Sequence, residues 1–215
     1  MLICVGIPVH DGKPCAQTVD ALLAEQFIGF RQGVHILVQW QIGTALIGIA
    51  RNKLAKQFLD IQEASCMVFV DADISWAGGD LIRLARQPHE VIGATYRPKH
   101  ERETYHVHGK PEPVGDLYKV DGLPGGFLKV SRKAFESIPA QRYRDSVGQE
   151  WCDYFPTGVH DGVLYGEDYG FCRLWHETGG SVLLDPSIIL KHHGGLNSYT
   201  GDPAKWLKEQ QHGAR

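Results

Sequence analysis

The run Met67-Val68-Phe69-Val70 constrains this chain more than any other segment, because four consecutive apolar residues leave no polar face for solvent. Such a run suits a strand covered on both sides, as in the middle of a layered α/β sheet, although its period alone also fits a buried helical segment. It ends in Asp71-Ala72-Asp73, so two carboxylates arrive where the apolar stretch meets water. If the backbone stays extended past Val70, side chains two apart share a face, and both acids converge on one cation or ligand. Carboxylate oxygens suit a hard divalent ion such as magnesium or manganese. With 14 Asp among 215 residues, about one D-x-D arises by chance, so the pair carries weight only through its surroundings.

Those surroundings have an α/β rhythm. Leu2 to Pro8 read as a first strand, Val9-His10-Asp11-Gly12 as a turn, and Val19, Leu22, Leu23, Phe27 and Phe30 as a helix. Val34 to Trp40 form a second apolar run. Thr44 is then expected to cap a helix with the inward stripe Ile47, Ala50, Leu54 and Phe58, and Arg51 lies on or beside that stripe. A helix near Asp80 to Arg86 and a strand at Val91 to Ala94 follow the acid-tipped segment. The succession implies parallel strands with right-handed crossovers, and ligands of such sheets bind beyond the carboxyl ends of the strands.

Past Tyr96 the rhythm changes. A charged stretch, Lys99 to Glu103, precedes expected short strands at Tyr105 to Val107 and Leu117 to Val120. Leu128-Lys129-Val130 leads to a helix capped by Ser131, and a later helix opens at Gly166-Glu167-Asp168 and ends at Gly179-Gly180. Val182-Leu183-Leu184 leads to His192-His193. Asp202 and Pro203 specify the N-cap and first position of a C-terminal helix.

The length and a hydrophobic content of 43% suffice for one substantial core, so residues 1–215 read as a single domain. A formal charge of −3 provides no global footprint for nucleic acid. No apolar stretch approaches membrane-spanning length and no basic leader opens the chain, which reads as cytoplasmic. Five cysteines without C-x-x-C spacing read as reduced thiols.

Several pieces now match one pattern. Ala50-Arg51-Asn52, Asp71-Ala72-Asp73, Gly125-Gly126-Phe127, Gly166-Glu167-Asp168-Tyr169-Gly170-Phe171 and Leu190-Lys191-His192-His193-Gly194 occur in an order and spacing that resembles the GT-A glycosyltransferases. The likeness is strongest to small bacterial and phage enzymes of the inverting kind that use nucleotide-sugar donors. It implies a GT-A (Rossmann-like) fold with a mostly parallel central sheet flanked by helices, residues 1–97 forming the donor half and 98–215 the acceptor and catalytic half.

The resemblance also implies roles. Asp73 binds Mn2+ or Mg2+, which bridges the donor diphosphate, while Asp71 holds the ribose or reaches the metal through water. His192, matching L-x-H-x-G, is favoured over His193 as a nitrogen ligand. Pro8, His10 and Asp11 border the base, with Arg51, Asn52 and Ala72 near the donor. Arg51 needs an anionic or carbonyl partner, because an unpaired buried guanidinium is costly; donor phosphate, nucleobase and a D-x-D carboxylate all qualify. Gly125 and Gly126 allow close backbone approach of a sugar or acceptor. Asp168 falls on the inward face of its helix and is the implied general base, while Glu167 is expected to point elsewhere, although the two acids can exchange roles.

The acceptor stays open among a glycan, a lipid-linked saccharide, a protein and a hydroxymethylated DNA base. The oligomeric state is also open. A nucleotidyltransferase is the rival enzyme, but this sequence lacks the early glycine-rich, basic phosphate loop expected of one. A non-catalytic sugar- or nucleotide-binding module is the other rival, and it has no need of a positioned base.

Overall fold

The structure, a computed structural model, describes residues 1–212. The first half alternates strands and helices: β1 (Leu2–Val9), α1 (Ala16–Arg31), β2 (His35–Ile42), α2 (Ile47–Leu59), β3 (Ala64–Val70), β4 (Ile74–Ser75), α3 (Asp80–Ala85) and β5 (Val91–Gly93). Then come β6 (Glu112–Val114), β7 (Leu117–Val120), β8 (Phe127–Ser131), α4 (Arg132–Ser137) and two small hairpins, β9 (Gln141–Arg144) with β10 (Glu150–Asp153) and β11 (Gly158–His160) with β12 (Val163–Tyr165). The chain ends with α5 (Glu167–Glu177), β13 (Val182–Leu184), β14 (Lys191–Gly194), β15 (Asn197–Tyr199) and α6 (Pro203–His212).

The central sheet has the order β2-β1-β3-β8-β5-β13-β7-β6. β1 pairs in parallel with β2 and β3, as β5 does with β13, whereas β8 is antiparallel to both its neighbours and β7 to both of its own. Six of the eight strands therefore run one way and two run against them. The simple βαβ succession does not continue from β3 to β5, because β8, arriving from the second half, is inserted between them.

The apolar run behaves as a doubly covered strand. Cys66, Val68 and Val70 enter one core with α1 and α3, while Met67 and Phe69 enter another with Leu54 and Phe58 of α2, Phe135 of α4 and Phe171 of α5. α3 is only six residues long, and a buried acid holds its start: Glu25 of α1 accepts hydrogen bonds from the Gly79 and Ile82 N–H groups (2.8 Å each) and from Trp76 Nε1 (3.0 Å). A carboxylate there satisfies orphan donors and complements the helix dipole.

Several local expectations change in the folded chain. Ser131 caps α4 through the Ala134 N–H, and Asp202 caps α6 through Lys205, as their sequence predicts. Thr44 does not cap α2, which starts after Leu46; its hydroxyl accepts from Gln41 instead. No strand forms at Tyr105 to Val107; His108 makes a single bridge to Gly122, and Tyr105 packs its ring on Trp206 of α6. Most notably, α1 buries Thr18, Ala21, Leu22, Glu25 and Gly29, leaving Leu23, Phe27 and Phe30 in solvent.

Candidate functional site

The carboxyl ends of β1 and β3 open onto a cleft of about 560 Å³, and the loop after β5 together with β14 closes its far wall. β3 stops at Val70, and the Ile74 N–H donates back to the Asp71 carbonyl (3.1 Å), so residues 71–74 turn. The extended path expected through Asp73 is absent. Both acids nevertheless line the cleft, each with its own partners. Between them the Ala72 carbonyl accepts from the Cys15 N–H (2.8 Å) and the Thr18 hydroxyl (3.0 Å), tying the loop before α1 to the acids.

Asp71 is committed to the floor. One oxygen accepts from Arg51 Nη2 (2.8 Å) and the other from the Tyr96 hydroxyl (3.0 Å). Arg51, 1% exposed, places its other terminal nitrogen on Glu167, so one guanidinium joins two carboxylates. Of the three partners open to it, Arg51 takes the D-x-D acid, and it is too buried to serve a donor phosphate. Burial lowers its affinity for a proton, but Asp71 and Glu167 reverse the balance and raise its pKa. Glu167 thus points inward, contrary to expectation; burial raises its pKa, which Arg51 opposes and Asp168 reinforces.

The adjacent glycines serve this arrangement. A Cβ at Gly125 collides with the Arg51 guanidinium, and one at Gly126 meets Asp71 Oδ2 at 2.6 Å and the Tyr96 ring at 2.7 Å. Their small size makes room for these protein side chains. Asn52 also departs from its expected place. Its amide donates to Asp153 (2.8 Å) and accepts from the Tyr154 and Phe155 N–H groups, pinning the loop after β10 from a buried position. His10 is exposed and is not among the cleft residues, whereas Pro8 and Asp11 are.

Asp73 faces the opposite wall. Lys99 Nζ sits on its Oδ2, and His192 Nε2 lies 3.5 Å from the same oxygen. Burial raises the Asp73 pKa, but the His192 and Lys99 contacts outweigh it and hold the carboxyl below its usual value. His192 Nδ1 meets the Arg97 carbonyl at 2.8 Å. A carbonyl only accepts, so Nδ1 carries a proton, and Nε2 is the nitrogen that faces Asp73, able to donate to it when protonated or to meet a cation when not. His193 is different: both ring nitrogens are 2.8 Å from serine hydroxyls, of Ser75 and Ser198, and the residue is buried. It ties β4 to β15, and both its ring nitrogens are engaged.

Asp168 is partly exposed at the start of α5, where its Oδ2 accepts from the Gly125 N–H at 3.3 Å. It is not among the residues that line the cleft, but the Gly125 it accepts from lies against the Arg51 guanidinium. Lys13, Tyr96, Lys99 and His106 also line the cleft, and sequence reasoning did not assign them there. The signal available was topological, since Tyr96 to Lys99 leave the carboxyl end of β5, the edge where such sheets bind ligands.

Among the described residues no cluster of three or more His, Cys, Asp or Glu forms a metal cage. The two donors that do face each other, Asp73 and His192, suit an ion that completes its shell with phosphate oxygens and water.

Solved structures resemble this chain over most of its length. A197 from STIV matches with a TM-score of 0.58 at 16% identity, over 91% of this chain and 87% of that one. The catalytic domain of Drosophila β1,4-galactosyltransferase 7, in complex with xylobiose, matches at 0.53 and 13%, over 94% and 70%. A mutant of that enzyme in complex with manganese, UDP-Gal and xylobiose matches at 0.53 and 12%, over the same shares of 94% and 70%. No protein-family profile and no curated protein sequence matches the chain. The likeness is one of fold: this is a mixed α/β chain with the architecture of the GT-A glycosyltransferases.

Proposed function

We propose that the protein is a metal-dependent glycosyltransferase, moving a sugar from a nucleoside-diphosphate sugar to an acceptor hydroxyl with inversion. The observation that carries this reading is that Asp73 and His192 Nε2 face each other inside a cleft at the carboxyl edge of the sheet, with Nδ1 held by the Arg97 carbonyl. These two side chains would hold Mn2+ or Mg2+, with Asp71 oriented behind them by Arg51 and Tyr96. An ion held there supplies Lewis-acid stabilisation to the departing diphosphate. Lys13 and Lys99 bring further positive charge into the cleft, and Pro8 and Asp11 border the donor.

Asp168 acts as the general base, taking the proton of the acceptor hydroxyl onto its carboxylate. Glu167 is the weaker candidate, because Arg51 already neutralises it. The reading extends to a cytoplasmic bacterial or phage enzyme of a single domain, acting on a glycan, a lipid-linked saccharide, a protein or a hydroxymethylated DNA base.

Calorimetric titration with a panel of nucleoside diphosphates and nucleotide sugars, with manganese and then with chelator, tests the donor site. Metal-dependent binding of one nucleotide is expected, lost in Asp73→Ala and retained in Asp168→Asn. Transfer to acceptor should fall about 100- to 10,000-fold in Asp168→Asn, the usual contribution of a positioned base. Full transfer by that variant removes Asp168 from the role. Nucleotide binding without turnover in the unmodified protein favours the binding-module reading instead.

A further inference from the structure

Among the described residues β2 is an edge strand, paired only with β1. Its eight residues, His-Ile-Leu-Val-Gln-Trp-Gln-Ile, contain no Lys, Arg, Asp, Glu, Pro or Gly, and they run in unbroken register with β1 from His35 to Ile42. Sheet edges present unpaired N–H and C=O groups, and proteins normally blunt them with short strands, charges, proline or bulges. The opposite edge of this sheet uses such devices: β6 is three residues long and reads Glu-Pro-Val. β2 uses none of them.

The helix beside that edge is equally unguarded. Gln26 donates to the Ile36 carbonyl (3.4 Å), which marks the side of α1 that faces β2. On a helical wheel Phe30 and Leu23 lie within about 60° of Gln26, with Phe27 next to them. All three are in solvent, at 59% exposure for Leu23, 63% for Phe27 and 79% for Phe30. The stripe ends in opposite charges. Exposed Asp20 and Arg31 are eleven residues apart, about three turns, and so lie on one face.

We infer that this face binds a second copy of the chain, β2 pairing antiparallel with β2 about a two-fold axis perpendicular to the sheet. That operator joins two eight-stranded sheets into one and brings the α1 helices side by side, antiparallel, on the same face. Leu23, Phe27 and Phe30 then pack across the axis. Asp20 meets the partner subunit's Arg31, and Arg31 meets the partner subunit's Asp20. A stripe acidic at one end and basic at the other complements itself only in this orientation, which favours a second copy over an unrelated strand. The candidate catalytic side chains lie elsewhere, so the inference stands apart from the proposed activity.

Sedimentation velocity and light scattering over a micromolar concentration series provide the test. A dimer is expected, and Phe27→Asp with Phe30→Asp should yield a monomer with unchanged circular dichroism, since both side chains are exposed. Asp20→Arg alone should weaken dimerisation about fivefold at low salt, in line with exposed ion pairs, and Asp20→Arg with Arg31→Asp should restore it. A protein monomeric throughout the series overturns the inference. So does a dimer indifferent to the two aspartates, or a charge swap that fails to recover.

Discussion

Lys99 reaches Asp73 across 26 residues of sequence and occupies the carboxylate oxygen that also faces His192. An ammonium and a divalent ion are competitors for that oxygen. Lys99→Gln removes one competitor, and Mn2+ affinity should rise about fivefold, the scale of a partly exposed ion pair. Titration calorimetry on the two proteins checks this, and equal affinities dismiss the competition. The acids themselves were legible in the sequence, because a buried strand must end somewhere and polar residues mark the place. Lys99 was not legible as their partner, since nothing in a local charged stretch states which distant carboxylate it meets. The same holds for Arg51: its need for an anion followed from its apolar neighbours, but the choice of Asp71 and Glu167 came from packing.

At the scale of elements, short helices depend on what lies against their ends. Glu25 accepts three hydrogen bonds at the entry to α3, two from the Gly79 and Ile82 N–H groups and one from the Trp76 indole. Glu25→Gln keeps the shape but turns one acceptor into a donor, leaving at least one buried N–H unmatched, at a cost of about 2 kcal/mol. Urea unfolding measures it, and an unchanged midpoint contradicts the assignment. A second carboxylate, Glu90, links β5 to the start of α4 through Ser131 and Lys133. Burial pushes its pKa up, but these two hydrogen bonds outweigh burial and hold it below the ordinary 4.5. A depressed folded-state pKa means that the unfolded chain binds protons more readily. The contribution is therefore complete above pH 4.5 and is lost as pH falls through the folded value. Glu90→Gln should accordingly be less stable than the unmodified protein at pH 7 and approach it in acid; a pH-independent gap would falsify the linkage. Caps such as Ser131 and Asp202 are readable because they act within three residues of themselves. Thr44 misleads because a cap also needs the chain to enter the helix at that point, which the loop after β2 prevents.

For the whole molecule, Arg51 is the joint, carrying α2 of the first half onto Glu167 of α5 in the second. Arg51→Met leaves Asp71 and Glu167 without their shared cation, and the loss should be about 3–5 kcal/mol, as when one partner of a buried pair is removed. Denaturant titration checks the figure, and a loss under about 1 kcal/mol means that solvent already screens the pair. By itself the sequence determined the α/β layering, the doubly buried third strand, the helices and most of their ends, and the acids at the sheet edge. These follow from periodicity and local hydrogen bonding, which act within a few residues. Only the tertiary structure decided that β8 enters between β3 and β5, and that α1 turns Leu23, Phe27 and Phe30 outward. It alone set His193 between two serine hydroxyls and His192 against Asp73. Each of those outcomes depends on which distant surface offers the better fit, and a helical or strand period leaves that choice open.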